Sequence, residues 1–173
     1  MATKKTSIFT LTERVTVTAA DTTTFATIDL GSYVDVGDRL ALQIHSVDYI
    51  VQGSDANATI ASSLGAGEAQ CQVTDLNRGG LVFADDRALV SSMRLIVDTD
   101  AYLTNLTDLF PDNFGKGSDD GRYVVNDALY VTARTSNLAG DAVNIVVRVN
   151  ASIVTLSAKD FMAIAIQSTA ADN

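Results

Sequence analysis

The chain has 173 residues, 47% of them hydrophobic and 19% charged, with a formal net charge of −9. That length suits one domain with a real core, and the composition excludes a disordered chain. The acidic balance argues against a surface that wraps nucleic acid, which needs clustered Lys and Arg, and no run approaches the roughly 20 apolar residues of a membrane span.

A secretory leader is not expected, because MATKKTSIFTLTERV holds two lysines but no uninterrupted apolar stretch. Thr and Val are abundant, proline occurs once, tryptophan is absent, and Gly/Asp/Asn/Ser clusters recur at short intervals. That combination predicts an all-β sandwich or barrel.

In chain order, residues 1–7 read as a short arm. Ile8–Thr18 alternates, with Phe9 and Leu11 opposite Ile8, Thr10 and Thr12, and is a predicted strand. Thr23–Leu30 alternates again, and Gly31–Asp38 is a loop with Tyr33, Val34 and Val36 tucking under. Arg39–Gln52 is a long strand with Leu40, Leu42 and Ile44 on one face, and its phase slips near His45–Asp48, which predicts a bulge. Residues 53–67 form a long polar loop with room for a short strand at Ala58–Ala61. Glu68–Thr74 is a strand, and Asp75–Gly80 a turn.

Asp85–Asp86 suits the cap of a short helix through Arg87–Leu89. Leu89–Val97 reads as a strand. Residues 98–121 form the longest connection, with the only proline (Pro111), several large apolar residues, a predicted helical turn in TNLTDLF and the flexible GKGSDDG. Loops of that length usually carry function or contacts. Arg122–Val125 and Leu129–Thr135 are strands, Asn137–Asp141 a turn, and Val143–Leu156 the long final strand. Ser157 with Asp160 matches an N-cap box, Leu156 is placed to staple against Phe161, and Phe161, Ile164 and Ala165 share a helical face. A helix over 157–168 is preferred, although Met162, Ile164 and Ile166 also alternate as a strand would.

The expected fold is therefore all-β: an eight-stranded jelly-roll sandwich of two four-stranded antiparallel sheets, with a short C-terminal helix, one domain spanning 1–173 and a helix and tail at 157–173. Lettered B to I in order, the strands place the 53–67 and 99–121 loops at one end of such a sandwich. The turn at 136–141 then crosses between sheets rather than closing a simple hairpin.

The chemistry-bearing residues are few. His45 and Cys71 are the sole histidine and cysteine, so a nucleophilic triad would have to use both, and a zinc site lacks its usual ligand set. The lone Cys71 also excludes an intrachain disulfide. The pairs Asp35/Asp38, Asp85/Asp86, Asp98/Asp100 and Asp119/Asp120 fall in loops without the spaced calcium pattern, and read as solvated turn residues. Lys116 is followed by Gly117, which rejects a phosphate loop. Asn57, Asn105 and Asn150 each begin an N-x-S/T triplet, a chance pattern in a Thr-rich chain. No enzyme, cofactor or metal is expected.

Four segments carry a resemblance: IDLGSYVDVGDRLALQIHSVDYIV at 28–51, DDRALVSSMRLIVDTD at 85–100, VVNDALYVTART at 124–135 and VNIVVRVNASIVTLSAKDFMAIAI at 143–166. In order and texture they resemble the C–D region, strand F, the G–H corner and strand I with its trailing helix in single jelly-roll viral capsid proteins. The resemblance implies a subunit that self-assembles into capsomers of an icosahedral shell, located in the virion and assembled in the host cytoplasm. Many such proteins carry a basic arm, whereas here only Lys4, Lys5 and Arg14 stand near the start. No strong direct nucleic-acid binding is expected, and the small vertical jelly-roll type, with an internal membrane or a second capsid protein as partner, fits better.

Candidate subunit contacts are Leu103, Leu106, Leu109, Phe110 and Phe114, which are more apolar than a solvated loop should be, with Phe161 and Ile164 on the helix. The alternatives are a pilus, tail or surface-layer subunit, or an adhesion or carbohydrate-binding module. The last is weakened by the missing tryptophan and 6% aromatic content.

Overall fold

A computed structural model describes residues 2–55, 58–100, 102–107 and 121–170. The strands are β1 (Thr3–Lys4), β2 (Phe9–Val17), β3 (Thr24–Asp29), β4 (Leu40–Gln52), β5 (Gly67–Thr74), β6 (Leu89–Val97), β7 (Leu103–Thr107), β8 (Arg122–Val124), β9 (Ala128–Thr135) and β10 (Val143–Thr155). The helices are α1 (Ile60–Leu64) and α2 (Ala158–Ala170).

Every ladder is antiparallel among the described residues. One sheet runs β2–β10–β4–β8, with β1 beside the last two residues of β10; the other runs β3–β9–β5–β6–β7. Written with the letters B to I, these are B-I-D-G and C-H-E-F, the two sheets of a jelly roll. The eight expected strands are all present. Each sheet gains one short strand that alternation did not reveal, β1 in the arm and β7 in the long F–G connection.

Alternation explains the two layers. Val15 and Val17 of β2, Leu42 and Ile44 of β4, and Val143, Ile145, Val147 and Val149 of β10 point inward and are buried. They meet Ala69, Cys71 and Val73 of β5, with Leu129, Val131 and Ala133 of β9. Each buried Val, Leu or Ile side chain among them contributes roughly 1.5–3 kcal/mol by leaving water. The predicted bulge falls on His45. Ser46 opposes Asn150 and Ile44 opposes Ala151, so His45 is the extra residue and the inward face is restored beyond it.

Three local expectations are corrected. The stretch around Ala58–Ala61 is not a strand but leads into α1, because the Thr59 hydroxyl accepts a hydrogen bond from the Ser62 N–H, and Gly65 ends the helix at φ 63°. Asp86 does not cap a helix through Arg87–Leu89; its carboxylate accepts from the Ala88 N–H in a turn. Leu103–Thr107 is a strand rather than a helical turn, since the β6 edge offers it a ladder, and the rest of TNLTDLF lies outside the described residues.

The C-terminal segment is helix, not strand. Ser157 caps it: its hydroxyl accepts from the Asp160 N–H at 3.1 Å and donates to the Asp160 carboxylate at 2.7 Å. That second bond is the first cause holding the Asp160 carboxyl below its ordinary pKa. The helix lies on the outer face of the β2–β10–β4–β8 sheet. There Phe161 and Leu156 join Ala41, Val125 and Val154 in a second, smaller core. Ser157→Ala is expected to lower stability by about 1 kcal/mol, read as a shift of the urea midpoint; an unchanged midpoint would show that the cap does not hold α2.

Candidate assembly surfaces

The reactive groups do not converge. Cys71 is buried on the inner face of one sheet, and His45 lies on the outer face of the other. Burial pushes the Cys71 thiol up to about 12, so the nucleophilic thiolate is nearly absent at neutral pH. A thiol reagent at about pH 8 should spare Cys71 in the folded protein and titrate it fully after unfolding; rapid labelling of folded chains would contradict this burial.

His45 Nε2 stands 2.9 Å from the Ser152 hydroxyl. Burial first, and Lys4 second, hold the imidazole below its ordinary pKa. The acidic loop residues build turns: Asp35 accepts from the Gly37 N–H at 2.7 Å, and Asp98 accepts from those of Asp100 and Tyr102. Among the described residues, no group of three or more His, Cys, Asp or Glu is arranged to hold a metal ion. No helix among the described residues is long and apolar enough to cross a membrane. Asn150 sits within β10, where its side chain accepts from Thr10 at 2.7 Å and donates to Ser46 at 2.9 Å.

The informative features are surfaces, which fall at the two ends of the sandwich. At the upper end are the β2–β3, β4–β5, β6–β7 and β9–β10 connections. At the lower end are the β3–β4 and β5–β6 connections, β1 and the start of α2. At the upper end Tyr102 is 71% and Leu103 54% exposed. Leu106 follows in β7, opposite Arg94 in the backbone register. Leu109, Phe110 and Phe114 lie outside the described residues.

At the lower end Phe161 is 5% exposed and packs within its own chain, with Ile164 half-buried beside it. The solvent face of α2 instead shows Met162 and Ile166, at 58% and 61% exposure. Sequence reasoning missed that face, although the signal was present: Met162 and Ile166 are one turn apart, opposite the Phe161–Ile164–Ala165 stripe.

The β5–β6 connection adds a second overlooked feature. Its Val82 is gripped by the Gln72 side chain, whose amide donates to the Val82 carbonyl at 2.9 Å and accepts from the Val82 N–H at 2.8 Å. The side chain thus stands in for a strand partner. It fixes the loop over the outer face of β5, leaving the adjacent Phe83 87% exposed. An apolar ring left in water is a feature of contact surfaces.

No family model matches the chain, and no curated protein does. Among solved structures, the chain is similar to VP1 of Trichodysplasia spinulosa-associated polyomavirus in complex with 3′-sialyllactose: 14% identity, 89% of this chain, 96% of that chain, TM-score 0.43. The same VP1 with sialylated precision glycooligomers matches at 11% identity over 89% and 98% of the two chains, again at 0.43. The BFDV capsid protein, solved as a 60-mer, matches at 13% identity over 88% and 94%, with a TM-score of 0.18. At TM-scores this low the likenesses carry no weight, and the fold rests on the strand order described above.

Proposed function

We propose that this protein is a structural subunit of an icosahedral viral shell that assembles with copies of itself into capsomers. The observation that carries the reading is a rigid jelly roll with large apolar side chains held in water at both ends: Tyr102 and Leu103 above, Met162, Ile166 and Phe83 below. A lone chain gains nothing from such exposure, whereas repeated contacts between identical subunits bury it. The resemblance of four segments to single jelly-roll coat proteins supports the same reading.

The upper contact comprises Leu103, Leu106, Leu109, Phe110 and Phe114. On α2 the contact falls to Met162 and Ile166 with Ile164 at its margin, while Phe161 anchors the helix to its own sandwich. The protein then resides in the virion after assembly in the host cytoplasm. Lys4, Lys5 and Arg14 are too few to neutralise a packaged genome, so a second protein or an internal membrane does that work. Negative-stain microscopy of the purified protein tests the proposal. Closed shells or capsomer rings are expected; filaments or a glycan-binding monomer would overturn it.

A further inference from the structure

The strip of chain beside the lower end of β10 is made of two pieces out of register. Thr3 and Lys4 oppose Thr155 and Val154, whereas Phe9 opposes Ala151. Lys5 to Ile8 therefore face only Ser152 and Ile153. The Lys5 N–H donates to the Ile153 carbonyl at 2.8 Å. The Ile153 N–H donates to the Thr6 hydroxyl at 2.9 Å, a side chain in place of a strand carbonyl. Ser7 and Ile8 then turn out into solvent. A two-residue ladder, these bonds and the packing of Ala2 against the second core hold the arm, and its hinge at Ser7 and Ile8 is exposed. Segments of this kind open locally without unfolding the rest.

His45 sits across β10 from this hinge. The bulge in β4 places it on the outer face, where its ring reaches the fully buried Ser152. Lys4, opposite Val154, lies on the same face two residues along β10 from Ser152. The other charged or titratable groups on that face are Tyr123 of β8, Arg14 of β2 opposite Val146, and Arg148 of β10 and Asp48 of β4 towards the upper end, while α2, packed over the same face, carries Lys159 and Asp160 in its first turn; the Asp48 carboxylate accepts from the Asn150 side chain at 3.2 Å. A neutral imidazole fits this setting. An imidazolium adds a second positive charge to the face that already carries the exposed Lys4, across β10 from it, and the least costly relief is to move the arm away.

We infer that the N-terminal arm is a latch that acid releases, with His45 as the group that senses the acid. The docked arm brings Lys4 to this face, where its charge adds to burial in favouring neutral His45. Docking is therefore full above the ordinary imidazole range near ~6.5 and weakens as pH falls through it towards the lower docked value. Release uncovers the β10 edge from Ser152 to Thr155 at the lower end of the sandwich.

Residue-resolved hydrogen exchange tests this on the full chain at about pH 7.5 and about pH 5, with intrinsic rates divided out. Protection of the Lys5 and Ile153 amides is expected to fall on the order of three- to tenfold at the lower pH, while Val147 in mid-β10 stays unchanged. His45→Gln is expected to keep both amides equally protected at the two pH values. Should that variant not fold, Lys4→Gln is expected to shrink the fall. Equal protection in the unaltered protein at both pH values, or an undiminished fall in either variant, would overturn the latch.

Discussion

Replacing Arg122 with alanine is expected to lower the unfolding free energy by about 3 kcal/mol. The guanidinium of this β8 residue ties together the lower end of the sandwich. It donates to the Asp75 carboxylate at 2.9 Å, to the Leu89 carbonyl at 2.9 Å and to the Arg87 carbonyl at 2.6 Å. Asn126 adds a bond to the Asp75 carbonyl at 2.6 Å. With side chains 26% and 12% exposed, the pair is mostly but not wholly desolvated, which places the loss near the lower end of the range for breaking a buried pair.

Burial already raises the Asp75 pKa, and Arg122 offsets only part of that rise. Without Arg122 the carboxyl is raised further. A group raised in the folded state takes up its proton there at a pH where the unfolded chain is still ionised. Stability of the variant should therefore climb as pH falls through the raised folded value towards the unfolded carboxyl value of ~3.9, with no further gain from this group below it. Adding Asp75→Asn should recover part of the loss at neutral pH. Urea unfolding across pH measures both effects; a variant as stable as the parent at pH 7 would remove Arg122 from this role.

Deleting residues 103–114 is expected to abolish particle formation altogether while leaving a cooperatively melting sandwich. About twelve residues would still join Val97 to Arg122, and they reach roughly 40 Å, enough to return along a strand of about 30 Å. The deletion removes β7, which sits at the outer edge of its sheet beside β6, and with it the exposed Leu103. The core strands keep their partners. The milder Leu103→Asp should weaken assembly without moving the melting temperature. Normal particles from the deletion mutant would show that the contact lies elsewhere.

Much of this architecture was legible from the chain because a strand between two layers must alternate. Leu42 and Ile44, or Val143 to Val149, have only one arrangement that buries them, and the phase slip near His45 marked its own bulge. What was missed lacked that constraint. A two-residue strand such as β1 has too few positions to alternate. Around Thr59 the capping pattern competed with a short apolar run, and the cap won. On α2 the stripe through Phe161 identified the buried face, but the opposite face was left unread. Gln72 shows no signal at all in one sequence, since its partner is a backbone ten residues on.

The strand order also bears on when the chain can fold. Among the described residues β2 pairs with β10 alone, and β3 with β9 alone. A nascent chain that ends before residue 128 leaves both early strands without a ladder. The two sheets therefore close only when the last quarter of the protein leaves the ribosome. Such non-local closure is slow, and it keeps half-made chains from presenting finished contact surfaces to one another. Until then the Thr-rich β2 and β3 strands stay open to aggregation, so synthesis rate and chaperone supply should limit yield more than native stability does.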